Sequence, residues 1–408
     1  MDIQELISNL PYKNKDGSYN RLRESKTEVY EVDDSGIDDI NNMISVSDGN
    51  AQSEQLSDLD IILRNAVNGG ASDIHIIANC PPKARVDGQL VPMNGYPVYD
   101  KEGTKKLLEV LLDEETSKFF DQDGDLDFAH QVNGVGRFRV NLYKQRGTWA
   151  GVFRKLSTKI PKPQELGLPQ SVIALNNLKR GLVLVTGPTG SGKSTTLASI
   201  IDLINNSSYR NIITLEDPIE YVHKHKMCNV AQREMGVDSK NFASALRAAL
   251  REDPDVILVG EMRDYETIST AVTAAETGHL VFSTLHTIGA TATIDRIVDT
   301  YPSEQQTQAR AQLATCFQGI ISQQLIPKVN GGRIAAFEVM LGNDAIRSVI
   351  REGKTELLGT YIQNGKMEGM CLMDDYIISL LSNGLISPDQ ALEFSVDKKK
   401  FREKIGMN

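Results

Sequence analysis

From Leu182 onward, short apolar runs alternate with longer stretches whose apolar residues recur at helical spacing. The runs at 182–185, 211–215, 256–259, 280–285 and 333–340 read as strands, since brief apolar runs bounded by turn formers suit a strand buried on both faces. After the first of them, Leu197, Ile200, Ile201 and Ile204 fall on one face of a helix. Such alternation predicts a mostly parallel sheet with helices on both faces, an α/β arrangement. Upstream the pattern changes. Strand-like segments at 73–77, 82–86, 126–129, 137–142 and 149–153 surround one amphipathic helix at 104–120. Ser57 is placed to cap a helix with Leu59, Ile62, Leu63, Ala66 and Val67 on one face, stopped by Gly69 and Gly70. These segments predict a small α+β domain. From Ala345 the pattern is helical, with Gly384 as a stop and Ser387-Pro388-Asp389 as a start.

The expected organisation is an acidic extension at 1–55, an α+β domain at 56–158, a linker at 159–169, an α/β core at 170–344 and a helical region at 345–408. At 408 residues the chain is too long for one ordinary core. The linker opens on Lys159-Ile-Pro-Lys-Pro163, where two prolines interrupt regular structure. The net charge of −10 sits almost wholly at the front: residues 1–60 hold 14 acidic and 5 basic side chains, the rest 40 and 39. A front so polar and acidic is expected to be disordered, or to fold on a partner. The balanced remainder argues against a nucleic-acid binder. No apolar run approaches the roughly 20 residues of a membrane span, so no transmembrane segment is expected. Cys80, Cys228, Cys316 and Cys371 are scattered, which suits a reducing cytosol and excludes a Cys-x-x-Cys zinc pair.

One stretch changes the picture most. Gly187-Pro188-Thr189-Gly190-Ser191-Gly192-Lys193-Ser194-Thr195 lies between the first α/β strand and its helix. A strand turning through glycines into a helix aims several backbone N–H groups and a helix N-terminus at one point, which makes an anion cradle. In that cradle Lys193 would bridge the β- and γ-phosphates of a nucleoside triphosphate, and Ser194 would hold Mg²⁺.

Acids follow at the ends of later strands. Leu215-Glu216-Asp217-Pro218-Ile219-Glu220 puts carboxylates at the C-terminal edge of the sheet, where the phosphates belong. Hydrolysis needs a carboxylate that orients and deprotonates water, and position alone leaves Glu216 and Glu220 both open. Gly260-Glu261-Met262-Arg263-Asp264 places Glu261 where a P-loop enzyme needs an acid beside Mg²⁺, its extra length favouring contact through a metal-bound water. His279 and His286 bracket one strand, too far apart to share a metal. His286, on the phosphate side, could meet the γ-phosphate, whereas His279 suits a structural role or a subunit contact.

The succession 187–195, 215–220, 256–264 and 278–286 resembles the Walker A, Asp box, Walker B and His box of the secretion-superfamily ATPases. Similarity extends upstream through Ser72–His75, Arg85–Gly88 and Gly136–Asn141. Within that superfamily the chain looks most like the type IV pilus retraction (twitching motility) ATPases, because Ala345-Ile-Arg-Ser-Val-Ile350 matches their AIRNLI motif except at Ser348 and Val349. It also lacks the four-cysteine zinc site usual in assembly motors. The acidic extension departs from the retraction pattern. The resemblance implies a PAS-like N-terminal domain followed by a RecA-like ATPase core, a homo-hexamer, ATP and Mg²⁺, and a cytoplasmic location against an inner-membrane pilus platform protein. It further implies Glu220 as the base, Glu261 near Mg²⁺, His286 near the γ-phosphate, and Arg137, Arg139 and Arg154 as candidates to reach nucleotide across a subunit cleft. The alternatives are a motor of the same superfamily for type IV secretion, conjugation or pilus assembly, a small-molecule kinase and a nucleotide-gated scaffold. In the 345–350 helix, Ile346, Val349 and Ile350 share one face, and Arg347 is expected on another, free to engage partners.

Overall fold

The computed structural model describes residues 57–156 and 159–406, and a short antiparallel pairing of Tyr12–Lys13 with Tyr19–Asn20. The rest of the acidic extension expected at 1–55 lies outside the described residues.

Residues 57–156 fold around a six-stranded antiparallel sheet. Its members in chain order are β1 (Asp73–Ile77), β2 (Lys83–Val86), β3 (Gln89–Pro92), β4 (Asp125–Val132), β5 (Gly136–Gln145) and β6 (Thr148–Lys155), arranged β3-β2-β1-β6-β5-β4. Alternate residues of β5, among them Phe138, Val140 and Leu142, are fully buried, as a sheet with one covered face requires. Helix α1 (Asp58–Asn68) starts where expected, the Ser57 hydroxyl accepting from the Asp60 N–H at 3.1 Å. The single helix expected at 104–120 is two: α2 (Lys101–Glu109) and α3 (Glu114–Asp123). Asp113 divides them. Its carboxylate accepts from the N–H groups of Glu115 and Thr116 in a capping box, which starts a new helix in the middle of the apolar repeat.

The second sheet carries the α/β pattern. Its strands are β7 (Gly181–Thr186), β8 (Asn211–Glu216), β9 (Asn229–Glu234), β10 (Val256–Val259), β11 (Leu280–Leu285), β12 (Phe317–Pro327) and β13 (Arg333–Leu341), in the order β9-β8-β10-β11-β7-β12-β13. Every neighbouring pair is parallel except β12 with β13. Helices α4 (Gln170–Ile173), α5 (Lys193–Ser207), α6 (Phe242–Ala249), α7 (Tyr265–Glu276), α8 (Ala290–Asp299) and α9 (Gln306–Cys316) accompany the strands. They pack as two layers: Leu197, Ile200, Ile201 and Ile204 of α5 on one face, and Leu246, Ile268, Val272 and Ile294 on the other. This is the α/β fold read from the alternation. Two strands escaped that reading, β9 and the eleven-residue β12.

The C-terminal helices are α10 (Asp344–Glu352), α11 (Leu358–Asn364), α12 (Met373–Ser382), α13 (Pro388–Phe394) and α14 (Lys398–Ile405). Ser387 caps α13 in a capping box with Pro388 in its first turn, as its sequence signals. In α10, Ile346, Val349 and Ile350 are buried in the core. Arg347 overturns the expectation that it stands free. Its guanidinium donates to the carbonyl oxygens of Gly342 (3.0 Å) and Thr315 (2.9 Å) and to Gln318 Oε1 (3.3 Å). Thr315 lies in the last turn of α9, whose end carbonyls lack partners within their own helix. Arg347 therefore fastens α10 to α9 and β12, and Arg347→Ala is expected to lower stability by about 2 kcal/mol, since hydrogen bonds to a charged donor contribute roughly 1.5–3 kcal/mol. Denaturant melts of the two proteins check this, and equal midpoints would contradict it. Asp344 and Ala345 are exposed at the start of α10, and Arg351 and Glu352 at its end.

Candidate nucleotide site

Parallel order puts the C-terminal ends of β8, β10, β11 and β7 side by side, and every box found in the sequence reaches one of these ends. Between them opens a cavity of about 540 Å³, within the range of small-molecule sites. Thr189, Gly190, Gly192, Lys193, Ser194, Thr195, Glu216, Asp217, Glu220, Glu261, His286 and Arg139 all line it.

The loop from Gly187 to Gly192 is held from beneath. The side-chain amide of Gln323 in β12 donates to the Ser191 carbonyl at 2.7 Å, while its oxygen accepts from the Thr196 hydroxyl at 2.8 Å. Gly187 has φ +138°, and a Cβ there would stand 2.2 Å from the Gln323 carbonyl oxygen, so only glycine lets the loop lie on the strand. Helix α5 begins at Lys193 with Gly192 as its N-cap at φ +91°. Without a side-chain cap, its first N–H groups face the cavity, ready for an anion.

Lys193 is 8% exposed, and Nζ donates to the carbonyls of Gly187 (2.8 Å) and Pro188 (3.0 Å). Burial lowers its pKa, and the charges of Glu261 and Glu220 oppose that shift. The ammonium thus stands within electrostatic reach of both carboxylates. Glu261 follows β10, with Oε2 3.4 Å from His286 Nε2 and Oε1 2.5 Å from Arg263 Nε. His279 sits at the opposite end of β11, where Nδ1 lies 3.0 Å from the Ala274 carbonyl.

The two acids left open by position differ in their surroundings. Glu216 Oε1 accepts from the Thr214 hydroxyl (2.7 Å) and the Gln232 amide (3.0 Å). Burial raises its pKa to about 7. Glu220 lies four residues on, past the strand, facing the cavity. The raised pKa has a consequence for stability. Folded Glu216 keeps its proton through a range in which the unfolded chain has lost it, so its contribution favours unfolding increasingly from about pH 4.5 to about pH 7. Glu216→Gln removes that term while keeping an acceptor. Its stability relative to the parent is expected to rise across this window by on the order of 1–3 kcal/mol and stay level above it. Urea melts at pH 5 and pH 7.5 measure this, and a pH-independent difference would contradict it.

The three arginines separate. Arg139 lines this chain's own cavity, and its two N–H groups grip Asp127, with Glu220 and Asp217 adding to the field that favours its charge. Arg154 is exposed and donates to Asp73 at 2.8 Å, away from the cavity lining. Arg137 is turned toward β9, into an ion pair with Glu234. Sequence reasoning missed several lining residues. Arg263 carried no signal beyond standing in the box at 260–264, and Arg333 opens β13. Tyr221 donates to or accepts from Thr195 Oγ1 at 3.0 Å, which closes the loop after Glu220 onto α5. His223 is buried, which lowers its pKa to about 4, and its Nδ1 has no partner.

The profile of the Type II/IV secretion system protein family matches residues 48–333. The chain belongs to that family. It is 48% identical to the type IV pilus retraction ATPase PilT of Pseudomonas aeruginosa over 82% of this chain and 97% of that one. A crystal structure of the pilus retraction motor PilT with bound ADP superposes with a TM-score of 0.80 at 50% identity, covering 85% of this chain and 99% of the other. The ATPase DotB of Legionella pneumophila is more distant, at TM-score 0.69 and 30% identity over 83% and 95%. Within the family, therefore, the chain stands nearer to the pilus retraction ATPases than to that enzyme. Among the described residues no helix is long and apolar enough to cross a membrane.

Proposed function

We propose that this chain is a motor that hydrolyses ATP to retract type IV pili. The observation that carries the reading is joint: near-half identity across 97% of PilT, together with all four boxes converging on one cavity. Lys193 meets the β- and γ-phosphates over the amide-lined loop. Glu220 activates the attacking water, His286 contacts the γ-phosphate, and Arg139 supplies positive charge to the transition state, a role worth several orders of magnitude in rate elsewhere. A hydroxyl at Ser194 and a carboxylate at Glu261, both lining the cavity, are hard oxygen donors that fit Mg²⁺. Bound there, Mg²⁺ would neutralise phosphate charge.

The segments 56–158 and 170–344 act as separate domains, joined at 159–169, and the motor works as a homo-hexamer in the cytoplasm against a pilus platform protein of the inner membrane. Of the three candidate arginines, the exposed Arg154 is the one left to reach a neighbour's nucleotide when the ring assembles, since Arg139 lines its own chain's cavity and Arg137 pairs with its own chain's Glu234. The 48% identity to a pilus retraction ATPase, over 97% of that protein, favours retraction over the other duties of the superfamily. Electron microscopy of the purified chain with ATP, paired with phosphate release, tests the motor reading. Rings that turn over ATP with no acceptor present support it. A monomer that converts ATP to ADP only when an acceptor is supplied, with the phosphoryl group transferred to that acceptor, would establish a kinase instead.

A further inference from the structure

Arg137 and Glu234 are 97 residues apart in sequence and meet between the two sheets, Arg137 on β5 and Glu234 as the last residue of the edge strand β9. Glu234 is among the most buried carboxylates described, 4% exposed. Its Oε2 takes two donors at once: the Arg137 guanidinium at 2.5 Å and the backbone N–H of Ile219 at 3.1 Å. Ile219 immediately precedes Glu220. The base of the arrangement is rigid, because the Glu234 N–H donates to Asp238 Oδ2 at 2.8 Å and β9 pairs with β8 in register, Glu234 opposite Glu216. The guanidinium end is held at one point. Arg137 holds the carboxylate through one nitrogen, and its Nε is buried without a partner, short of the two-point grip that Arg–carboxylate pairs often make.

We propose that Glu234 is a positioning residue that ties the N-terminal sheet to the loop carrying Glu220, with Arg137 as the tie's movable end. A carboxylate pinned by Arg137 offers its oxygen to Ile219 in one direction and so fixes the backbone from which Glu220 projects. When the N-terminal sheet moves and takes Arg137 with it, Glu234 loses its countercharge, its side chain re-orients toward water, and the loop loses its anchor. Water activation is thereby limited to one placement of the N-terminal sheet within the same chain. Arg137 acts here within its own subunit, through a carboxylate and a backbone amide, and not on nucleotide. The inference rests on Glu220 being the water-activating acid.

The test uses the full-length ring and three variants: Arg137→Met, Glu234→Gln and the two combined. Either single change is expected to lower kcat about 10- to 100-fold, the range for a displaced catalytic group, with the KM for ATP changed less than about threefold. The double variant is expected to be no slower than the slower single, because both break the same tie. Backbone hydrogen exchange at Ile219 should quicken in Arg137→Met, although Arg137 does not touch that amide. A kcat within about twofold of the parent in folded Arg137→Met rings, losses that multiply in the double variant, or unchanged exchange at Ile219 would overturn the proposal. Should Arg137→Met not fold, Glu234→Gln, which keeps an oxygen for Ile219, decides by the same kcat–KM split. Glu220→Gln is measured alongside. If it turns over ATP at the parental rate, the assignment of the base has failed, and the tie is then judged by Ile219 exchange, which does not depend on which acid activates water.

Discussion

Lys193→Ala is expected to abolish ATP hydrolysis and weaken nucleotide binding while leaving the fold intact. The ammonium is buried at the head of α5, its charge sustained by Glu261 and Glu220 against a desolvation that works to lower its pKa. Those costs are offset when a polyphosphate arrives, because Nζ can exchange the Gly187 and Pro188 carbonyls for charged oxygens. Hydrogen bonds between charged partners contribute about 1.5–3 kcal/mol, so binding should weaken about 10- to 100-fold. Loss of a preorganised charge at the transferred phosphoryl group costs on the order of 10²–10³ in rate beyond that. The loop itself should persist, since Gln323 holds it from below through Ser191 and Thr196. Titration with a fluorescent ADP analogue and a thermal melt separate the two effects. Binding and turnover at parental levels would show that the cavity is not the phosphate site.

Glu220→Gln is expected to do the opposite to binding and the same to turnover. The substitution keeps size and hydrogen bonding and removes only the charge that accepts a proton from water. ATP affinity should stay within a few-fold of the parent, and kcat should fall by about 10²–10⁴, the range of general-base catalysis. Glu216 is the competing acid, yet its Oε1 already accepts from Thr214 and Gln232, which points it into the sheet edge rather than at a water. Trapping radiolabelled ATP on the ring distinguishes a bound, unreactive state from a failure to bind. Parental turnover in Glu220→Gln would move the base to Glu216.

Most of this site was legible because it is built from short local signals. An apolar run, a turn and a charged residue recur at the ends of β7, β8, β10 and β11, and parallel pairing then brings those ends together. β9 and β12 escaped for a physical reason. In β12, Ser322 and Gln323 are buried and polar because they serve the phosphate loop and the start of α8: Ser322 accepts from the Gly289 N–H, and Gln323 spans Ser191 and Thr196. A strand whose interior does hydrogen-bonding work loses the apolar run by which strands are found. β9 lies at the sheet edge, with one more exposed row and, in the other, Gln232 and Glu234 beside a single apolar residue, Val230. The break between α2 and α3 was hidden because the helical repeat continues through a capping box.

Long-range partners were the other blind spot. Helical periodicity put Arg347 off the apolar face of α10, correctly, but could not show that the end of α9 waits there. Arg137 read as one of a set with Arg139 and Arg154, though the three side chains go to three different places: Glu234, the cavity and Asp73. Pattern locates a residue on its element. Only the packing of elements says what it meets.

The central claim, that this chain converts ATP hydrolysis into pilus retraction, is tested most directly by watching labelled pili on living cells whose own copy of the gene has been deleted. Re-supplying the parental protein should restore shortening of surface pili, and re-supplying Glu220→Gln should leave cells covered with pili that extend and never shorten. Pili that still retract at the parental rate with Glu220→Gln, or cells that make no pili at all without this protein, would contradict it.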